Sequence, residues 1–432
     1  MDYAEATAFL NSLINYERVA PRQYDTRAFD LEQFAALLGR LGSPHDAYPI
    51  IHVAGTKGKG SVVAMLAAAF GAAGFRAGTF TSPHLRSPRE RVALGDEMIT
   101  PEDFGRFVAA ARAAMTGGEA ANYRTYFETL LAAALLYFRE RNADVAILEA
   151  GLGGRLDATN VVTPAVAVLT TVDLDHTDIL GETLEKIAAE KAGVIKAAVP
   201  AVSTPQDPAA EEVIRRFAAK ARAPLAFVGS DIYFHENSDG TFDYRGPRYN
   251  LVAVKPATPG HGARVNAAAA LAALECFTPF DVPAESARRG VEAARPRGRV
   301  EFLAGSPPVL LDTSHTPASG RELANVAGAT PGDVKVLVWG MSADKDAAAY
   351  IRELAGAVDV VIATAASLPR ARPAEELATV ARGSFGRVEA VTPPAAALAR
   401  ARELAGPAGL VVVAGSFYLA GEILTEIEGP LE

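Results

Sequence analysis

Two lysines one glycine apart, Lys57 and Lys59, stand in the segment Gly55-Thr56-Lys57-Gly58-Lys59-Gly60-Ser61. Glycines let a loop turn its backbone N–H groups toward an anion, and a helix opening directly after it adds positive potential, so this spacing suits phosphate binding. Lys59 then reaches the terminal phosphates of a nucleoside triphosphate. Gly60 separates Lys59 from Ser61, which makes the loop a variant of the common pattern in which the serine follows the lysine directly. Further along, Glu149-Ala150-Gly151-Leu152-Gly153-Gly154-Arg155-Leu156-Asp157 joins a carboxylate to three glycines, a combination that can hold Mg²⁺ while the backbone passes close to a ligand. Asp173-Leu174-Asp175-His176-Thr177-Asp178 adds carboxylates and a histidine, which serve either as metal ligands or as a hydrogen-bonded structural group. Glu190-Lys191-Ala192-Gly193 is, on its own, a surface ion pair at the end of a helix.

These groups act together only if the chain brings them to one edge, and the apolar pattern predicts such an edge. Ile50–Ala54 reads as a buried strand, with a helix over Ser61–Phe70 after the glycine loop. Further strands are predicted at Ala77–Phe80, Asp144–Leu148 and Ala165–Val172. Runs that are apolar throughout, alternating with Ala/Leu-rich helical stretches, specify parallel strands covered on both faces. In such sheets ligands collect at the carboxyl ends of the strands, where the glycine loop, the Glu149 segment and the Asp173–Asp178 segment lie. Residues 225–255 differ: aromatic runs flank Asp239-Gly240, a turn dipeptide, which predicts a small antiparallel excursion. The breaker-rich Arg295-Pro296-Arg297-Gly298-Arg299 places a domain boundary at about 296. A second alternation follows, with strands at Val309–Leu311, Lys335–Trp339, Val358–Ala363 and Leu410–Ala414.

The chain has 432 residues, more than one core usually serves, and half of them are apolar. Lys plus Arg number 42 against 51 Asp plus Glu, a net charge of −9. No global positive field draws it to nucleic acid or an anionic membrane, so an anionic substrate must meet local cations. One cysteine, Cys276, excludes an internal disulfide and a Cys-rich zinc site. The N-terminus lacks the basic start and apolar core of a signal peptide, and no uncharged run is long enough for a membrane span. A cytoplasmic, monomeric protein is expected.

Taken in order, the segments resemble the folylpolyglutamate synthase/dihydrofolate synthase family, a branch of the Mur ligases. The resemblance rests on His52 through Ser61, Thr81-Ser82-Pro83-His84-Leu85, Thr125-Tyr126-Phe127-Glu128, Glu149 through Asn160, Asp173 through Asp178 and Glu190 through Gly193. In the second half it rests on Asn266-Ala267-Ala268, Gly298-Arg299-Val300-Glu301, Asp312 to Pro317, Gly340 to Asp346 and Gly415 through Glu422. It implies an α/β chain with a P-loop-type, mostly parallel sheet domain carrying an N-terminal substrate-binding segment over 1–295. A smaller Rossmann-like α/β glutamate ligase domain would follow over 296–432. The implied activity is ATP-dependent addition of L-glutamate to folates, with dihydropteroate as a further acceptor, through an acyl phosphate, with Mg²⁺ as cofactor.

By the resemblance, Gly58, Lys59, Gly60, Ser61, Asn266, Arg299 and Asp312 bind ATP at the domain seam. Ser82, Glu149, His176 and Lys191 hold the metal, Lys191 as a carbamate, and His315, close to the ATP-holding Asn266, Arg299 and Asp312, joins Lys59, Glu149, His176 and Lys191 as a catalytic residue. Asp30, Leu31, Thr125, Tyr126, Phe127, Glu128, Leu156, Asp157 and Ala158 contact the pterin side. Departures are Lys57 where many bacterial members have Asn, Thr313, Ser314 and Thr316 in the segment after Asp312, and His261-Gly262-Ala263-Arg264 before Asn266. Two other readings remain at this point: a Mur-type amide ligase acting on a different carboxylic acid, and an ATP-binding regulatory protein without catalysis.

Overall fold

In the computed structural model, which describes residues 1–17, 29–115 and 125–431, the chain divides into two compact units. The first takes Met1–Pro83, Pro88–Ala257 and Ala263–Ala294, and the second Arg295–Glu432 with His84–Ser87 and Thr258–Gly262.

Eight strands form the main sheet of the first unit: β1 (Ile50–Ala54), β2 (Ala77–Phe80), β3 (Val92–Leu94), β4 (Glu97–Met98), β5 (Val145–Glu149), β6 (Val166–Leu169), β7 (Ala201–Ser203) and β8 (Leu225–Phe227). Their order is β4-β3-β2-β5-β1-β6-β7-β8, with β3 and β4 antiparallel and the other pairings parallel. Every residue of β1 and β5 is buried. Ile51, Val53, Val145 and Ile147 enter one core layer, and Ile50, Ala146 and Leu148 another. That two-faced burial is why the strands are apolar without alternation. β6 stops at Leu169, short of the predicted Val172. There the chain leaves the ladder and turns its polar groups to the glycine loop, Thr171 O accepting from Thr56 N (2.9 Å) and Lys57 N (3.2 Å). The excursion predicted at 225–255 is a three-stranded antiparallel sheet, β9 (Tyr233–Glu236), β10 (Phe242–Arg245) and β11 (Asn250–Val254), with Gly240 at positive φ in its turn.

The second unit holds β12 (Glu301–Leu303), β13 (Val309–Leu311), β14 (Lys335–Trp339), β15 (Val360–Ala363), β16 (Val388–Ala390) and β17 (Leu410–Ala414) in the order β12-β13-β17-β14-β15-β16. β12 is antiparallel to β13 and the other pairs are parallel. Leu310, Leu337, Val361 and Val412 face one apolar layer, and Leu311, Val336, Val338 and Val413 the other. Among the described residues no helix is long and apolar enough to cross a membrane.

Candidate active site

The carboxyl ends of β1 and β5 bring Lys59, Lys191 and Glu149 to one turn, while β6 leads into the segment that carries His176. Between β1 and the helix Lys59–Ala72, the loop turns through Gly58 at φ +90°. A side chain there would be strained and would also strike the amide of Asn266, so the position admits glycine for two reasons. The same contact places Asn266 against the loop, although 208 residues separate the two in the chain. The Lys59 ammonium donates to the carbonyls of Gly55 (3.2 Å) and Thr56 (3.4 Å) and stands 3.9 Å from Glu149 Oε1. Lys57 is instead committed to the Asp173 carboxylate. Gly60 and Ser61 open the helix, whose first N–H groups have no partners within it.

Lys191 departs most from what its sequence context alone predicts. Its side chain is buried, and Nζ donates to the Gly55 carbonyl at 2.9 Å, the oxygen that also receives Lys59. Burial, and then the charge of Lys59, lower its pKa to about 7. Two ammonium groups on one carbonyl are an arrangement in which the neutral amine is favoured. Neighbouring Glu190 makes the ion pair instead, with Arg155 at 2.9 Å. Gly154 lets the glycine loop lie against this helix end, since a Cβ there would strike the carbonyls of Glu190 and Lys191.

Glu149, the last residue of β5, is buried and accepts from Ser82 N at 3.1 Å. His176 caps the short helix Thr177–Leu180 in the left-handed region (φ 50°), its amide donating to Asp175 Oδ1 at 3.0 Å. A non-glycine residue held there is strained, a condition that gathers at functional sites. Among the described residues no three His, Cys, Asp or Glu side chains converge on a metal position. The carboxylate of Glu149 and the hydroxyl of Ser82 are hard oxygen donors that fit Mg²⁺, while the Lys191 amine as it stands is not a ligand.

The predicted pterin-side carboxylates have local duties. Asp30 caps the helix Leu31–Arg40, accepting from Gln33 N at 3.0 Å. Thr125 and Glu128 form a reciprocal capping box on the helix Tyr126–Glu140, Glu128 Oε2 accepting from Thr125 N and Thr125 Oγ1, both at 2.9 Å. Asp157 accepts from Thr159 N (3.0 Å), Thr159 Oγ1 (2.5 Å) and Leu152 N (2.9 Å), and also from the Gly151 amide. Burial still holds its pKa above the usual carboxylate value. Tyr126 lies in the core beneath Arg91, whose guanidinium is 5.2 Å from its ring centroid. It therefore offers no open aromatic face for stacking. Phe127 is half-buried, edge-on to Phe80 at 5.3 Å and next to Gly151, while Leu156 and Ala158 are buried and Leu31 is partly so. The capping signals Thr-x-x-Glu and Asp-x-x-Gln were present in the sequence.

In the second unit, Asp312 follows β13 and ties the turn after it, accepting from Val300 N (2.8 Å) and Ser314 N (2.7 Å). Arg299 donates to Thr313 Oγ1 at 2.7 Å and lies 4.7 Å from the Phe417 ring centroid. His315 Nδ1 faces the Thr313 carbonyl at 2.9 Å, which puts the proton on that nitrogen, and its ring is 6.2 Å from Phe417. The departures have structural explanations: Thr316 caps the helix Pro317–Ala329, and Ser314 bonds the Tyr350 hydroxyl at 2.8 Å.

The chain matches known families, proteins and solved structures over most of its length. The Mur ligase middle domain matches residues 53–274, and the Mur ligase glutamate ligase domain residues 298–417. The dihydrofolate synthase/folylpolyglutamate synthase of Escherichia coli K12 is 35% identical over 406 residues, covering 92% of this chain and 91% of that protein. A probable bifunctional folylpolyglutamate synthase/dihydropteroate synthase of Haloferax volcanii is 35% identical over 98% of this chain, which spans 50% of that longer protein. E. coli FolC in complex with DHPP and ADP superposes with a TM-score of 0.88 at 31% identity, over 99% of this chain and 98% of that one. A bifunctional folylpolyglutamate synthase/dihydrofolate synthase with Mn, AMPPNP and L-glutamate bound superposes at 0.86 with 31% identity, again over 99% and 98%.

Proposed function

This chain belongs to the folylpolyglutamate synthase/dihydrofolate synthase family of Mur ligases, and from that premise we propose that it is an ATP-dependent ligase joining L-glutamate to folates, with dihydropteroate as a second acceptor. The observation that carries the proposal is the pair of lysines on the Gly55 carbonyl, facing buried Glu149 at a helix N-terminus. A regulatory nucleotide-binding module would need the loop but would gain nothing from burying Lys191 at the cost of desolvating an amine.

A carboxylate is a poor acyl donor. ATP transfers its γ-phosphoryl group to one carboxylate oxygen of the acceptor, ADP leaves, and the acyl phosphate is attacked by the neutral amino group of glutamate. The amide forms as inorganic phosphate departs with the bridging oxygen, and the amine loses a proton. Lys59 and the loop N–H groups supply positive potential where charge spreads over the transferring phosphoryl. Ser82, Glu149 and His176 are proposed to hold Mg²⁺, which when bound would offset charge on the phosphates. Lys191 is proposed to complete that set as a carbamate. Its depressed pKa supports this, because CO₂ reacts with the neutral amine. Asn266, Arg299 and Asp312 are proposed to contact ATP, and His315 the substrates. On the acceptor side the proposal uses Phe127, Leu156 and Ala158, with Asp30, Leu31, Thr125, Tyr126, Glu128 and Asp157 shaping the segments that carry them. A monomeric state and a cytoplasmic location are part of the same reading.

ADP release tests it. Release should require acceptor and L-glutamate together, and comparison of tetrahydrofolate with dihydropteroate separates one activity from two. ADP release that ignores both acceptors but rises with another carboxylic acid would favour a Mur-type ligase of different specificity.

A further inference from the structure

His52 is a buried ionisable side chain that the proposed reaction leaves unused. It lies in the middle of β1 with no exposed surface, and burial lowers its pKa to about 3, so it is neutral at any working pH. Its Nε2 is 2.8 Å from Thr159 Oγ1. The Thr159 hydroxyl proton is directed to Asp157 Oδ1 at 2.5 Å, which leaves its oxygen as acceptor toward the histidine. His52 therefore carries its proton on Nε2, and Nδ1, buried and without a hydrogen-bond partner, is the bare nitrogen.

The relay ends on the glycine loop. Asp157 accepts Thr159 N and Oγ1 on one oxygen and Leu152 N on the other, and the Gly151 amide also donates to it. Asp157 thus ties the backbone at Leu152, three residues beyond Glu149, to Thr159. On the other side, Asn160 Nδ2 donates to the carbonyls of Arg155 (2.9 Å) and Gly193 (3.2 Å), the latter just past Lys191, and Lys196 Nζ donates to Asn160 O at 2.8 Å. The segment 151–160 is fastened through Thr159 to β1 and through Asn160 to the end of the Lys191 helix.

We propose that His52 is a positioning residue for the acceptor: through Thr159 and Asp157 it sets the backbone at Leu152, next to the Gly151 that borders Phe127, and of the Leu156–Ala158 turn, the residues assigned above to folate or pteroate. This rests on the ligase reading. A neutral, doubly buried relay suits the task, since a group that titrated near neutrality would let the loop shift with pH. Unlike Lys59, His52 touches neither phosphate nor reacting atoms. Its loss should be felt in acceptor binding rather than in nucleotide binding.

The test is steady-state kinetics of the full chain at saturating ATP and L-glutamate with tetrahydrofolate or dihydropteroate varied, and then with ATP varied. His52→Leu and Thr159→Val should each raise the acceptor KM about tenfold, the effect of one buried hydrogen bond, with the ATP KM within about twofold. The double variant should be no worse than the poorer single one, because both break one relay. Thr159→Ser, which keeps the hydroxyl, should recover most of the loss. Amide exchange read by mass spectrometry should quicken at Gly151 and Leu152 in Thr159→Val, which needs no turnover at all. An unchanged acceptor KM, acceptor and ATP KM values rising in step, or multiplying effects in the double variant would overturn the assignment. If His52→Leu does not fold, the Thr159→Val and Thr159→Ser pair decides alone. An unmodified chain without ligase turnover would overturn the function, whereas turnover with unmoved KM values would overturn only this inference.

Discussion

The glycine loop and the pterin-side segments occupy the same unit and use polar residues in opposite ways. At the loop, Lys59 and Lys191 share one carbonyl, a buried carboxylate stands 3.9 Å from Lys59, and His176 sits in a strained backbone conformation. At Asp30, Thr125–Glu128 and Asp157–Thr159, the charged and hydroxyl groups are tied into the ends of their own elements. The first region gathers two amines and a carboxylate around one turn, where the proposed function puts a polyphosphate and a cation. The second spends its polar groups on shape. Under that proposal, removing a charge at the loop should cost turnover, while removing a cap should cost stability.

The largest effect that would break this contrast is at Lys59. Lys59→Ala should lower kcat by roughly a thousandfold, the scale of removing a cation from a transferring phosphoryl group, while the melting temperature stays within a few degrees. A folded variant turning over near the unmodified rate would end the distinction.

Lys191 comes next. Lys191→Ala should lose about a hundredfold or more in kcat, and because a desolvated amine is removed the protein should not lose stability. A short carboxylic acid in the medium should restore part of the activity by supplying the missing oxygens. Full activity in the alanine variant would return Lys191 to the role of a mere buried lysine.

A third prediction uses pH. The imidazole of His52 has a pKa of about 3 in the folded protein against 6.5 as its ordinary value. The unfolded chain therefore binds the extra proton first. The stability that this neutral histidine contributes is present above pH 6.5 and is lost as pH falls toward 3. Urea unfolding at pH 7 and pH 4.5 should show the unmodified protein losing on the order of 2 kcal/mol more than His52→Gln between the two values. Equal losses would mean that the ring is protonated in the folded protein.

The smallest effect sharpens the other side of the contrast. Glu128→Ala removes one half of the capping box and should cost about 1 kcal/mol of stability, with less than a tenfold change in acceptor KM. An unchanged melting temperature with a hundredfold rise in KM would make Glu128 a ligand contact after all.

How far the sequence could be read follows the same division. Strands β1, β5, β14 and β17 were legible because two-faced burial makes them apolar at nearly every position. The short strands β3, β4 and β16 were not, since two or three residues carry no period. The end of β6 was misplaced because Thr170 and Val172 are buried like strand residues although the ladder has ended. At the site, the glycine loop and Glu149 were legible from residue type and position. Lys191 was not legible without the resemblance, because burial depends on a helix packing against a loop 136 residues away. The Thr125-x-x-Glu128 capping box was legible as a local pattern. The His52 relay could not have been found, because its members meet only across the fold.

The central claim is that ATP activates the acceptor's carboxylate. An acceptor labelled with ¹⁸O in that carboxylate, incubated with the enzyme, ATP and L-glutamate, tests it directly. The account predicts one ¹⁸O atom in each molecule of phosphate released with amide formation. Amide formation with unlabelled phosphate would contradict it.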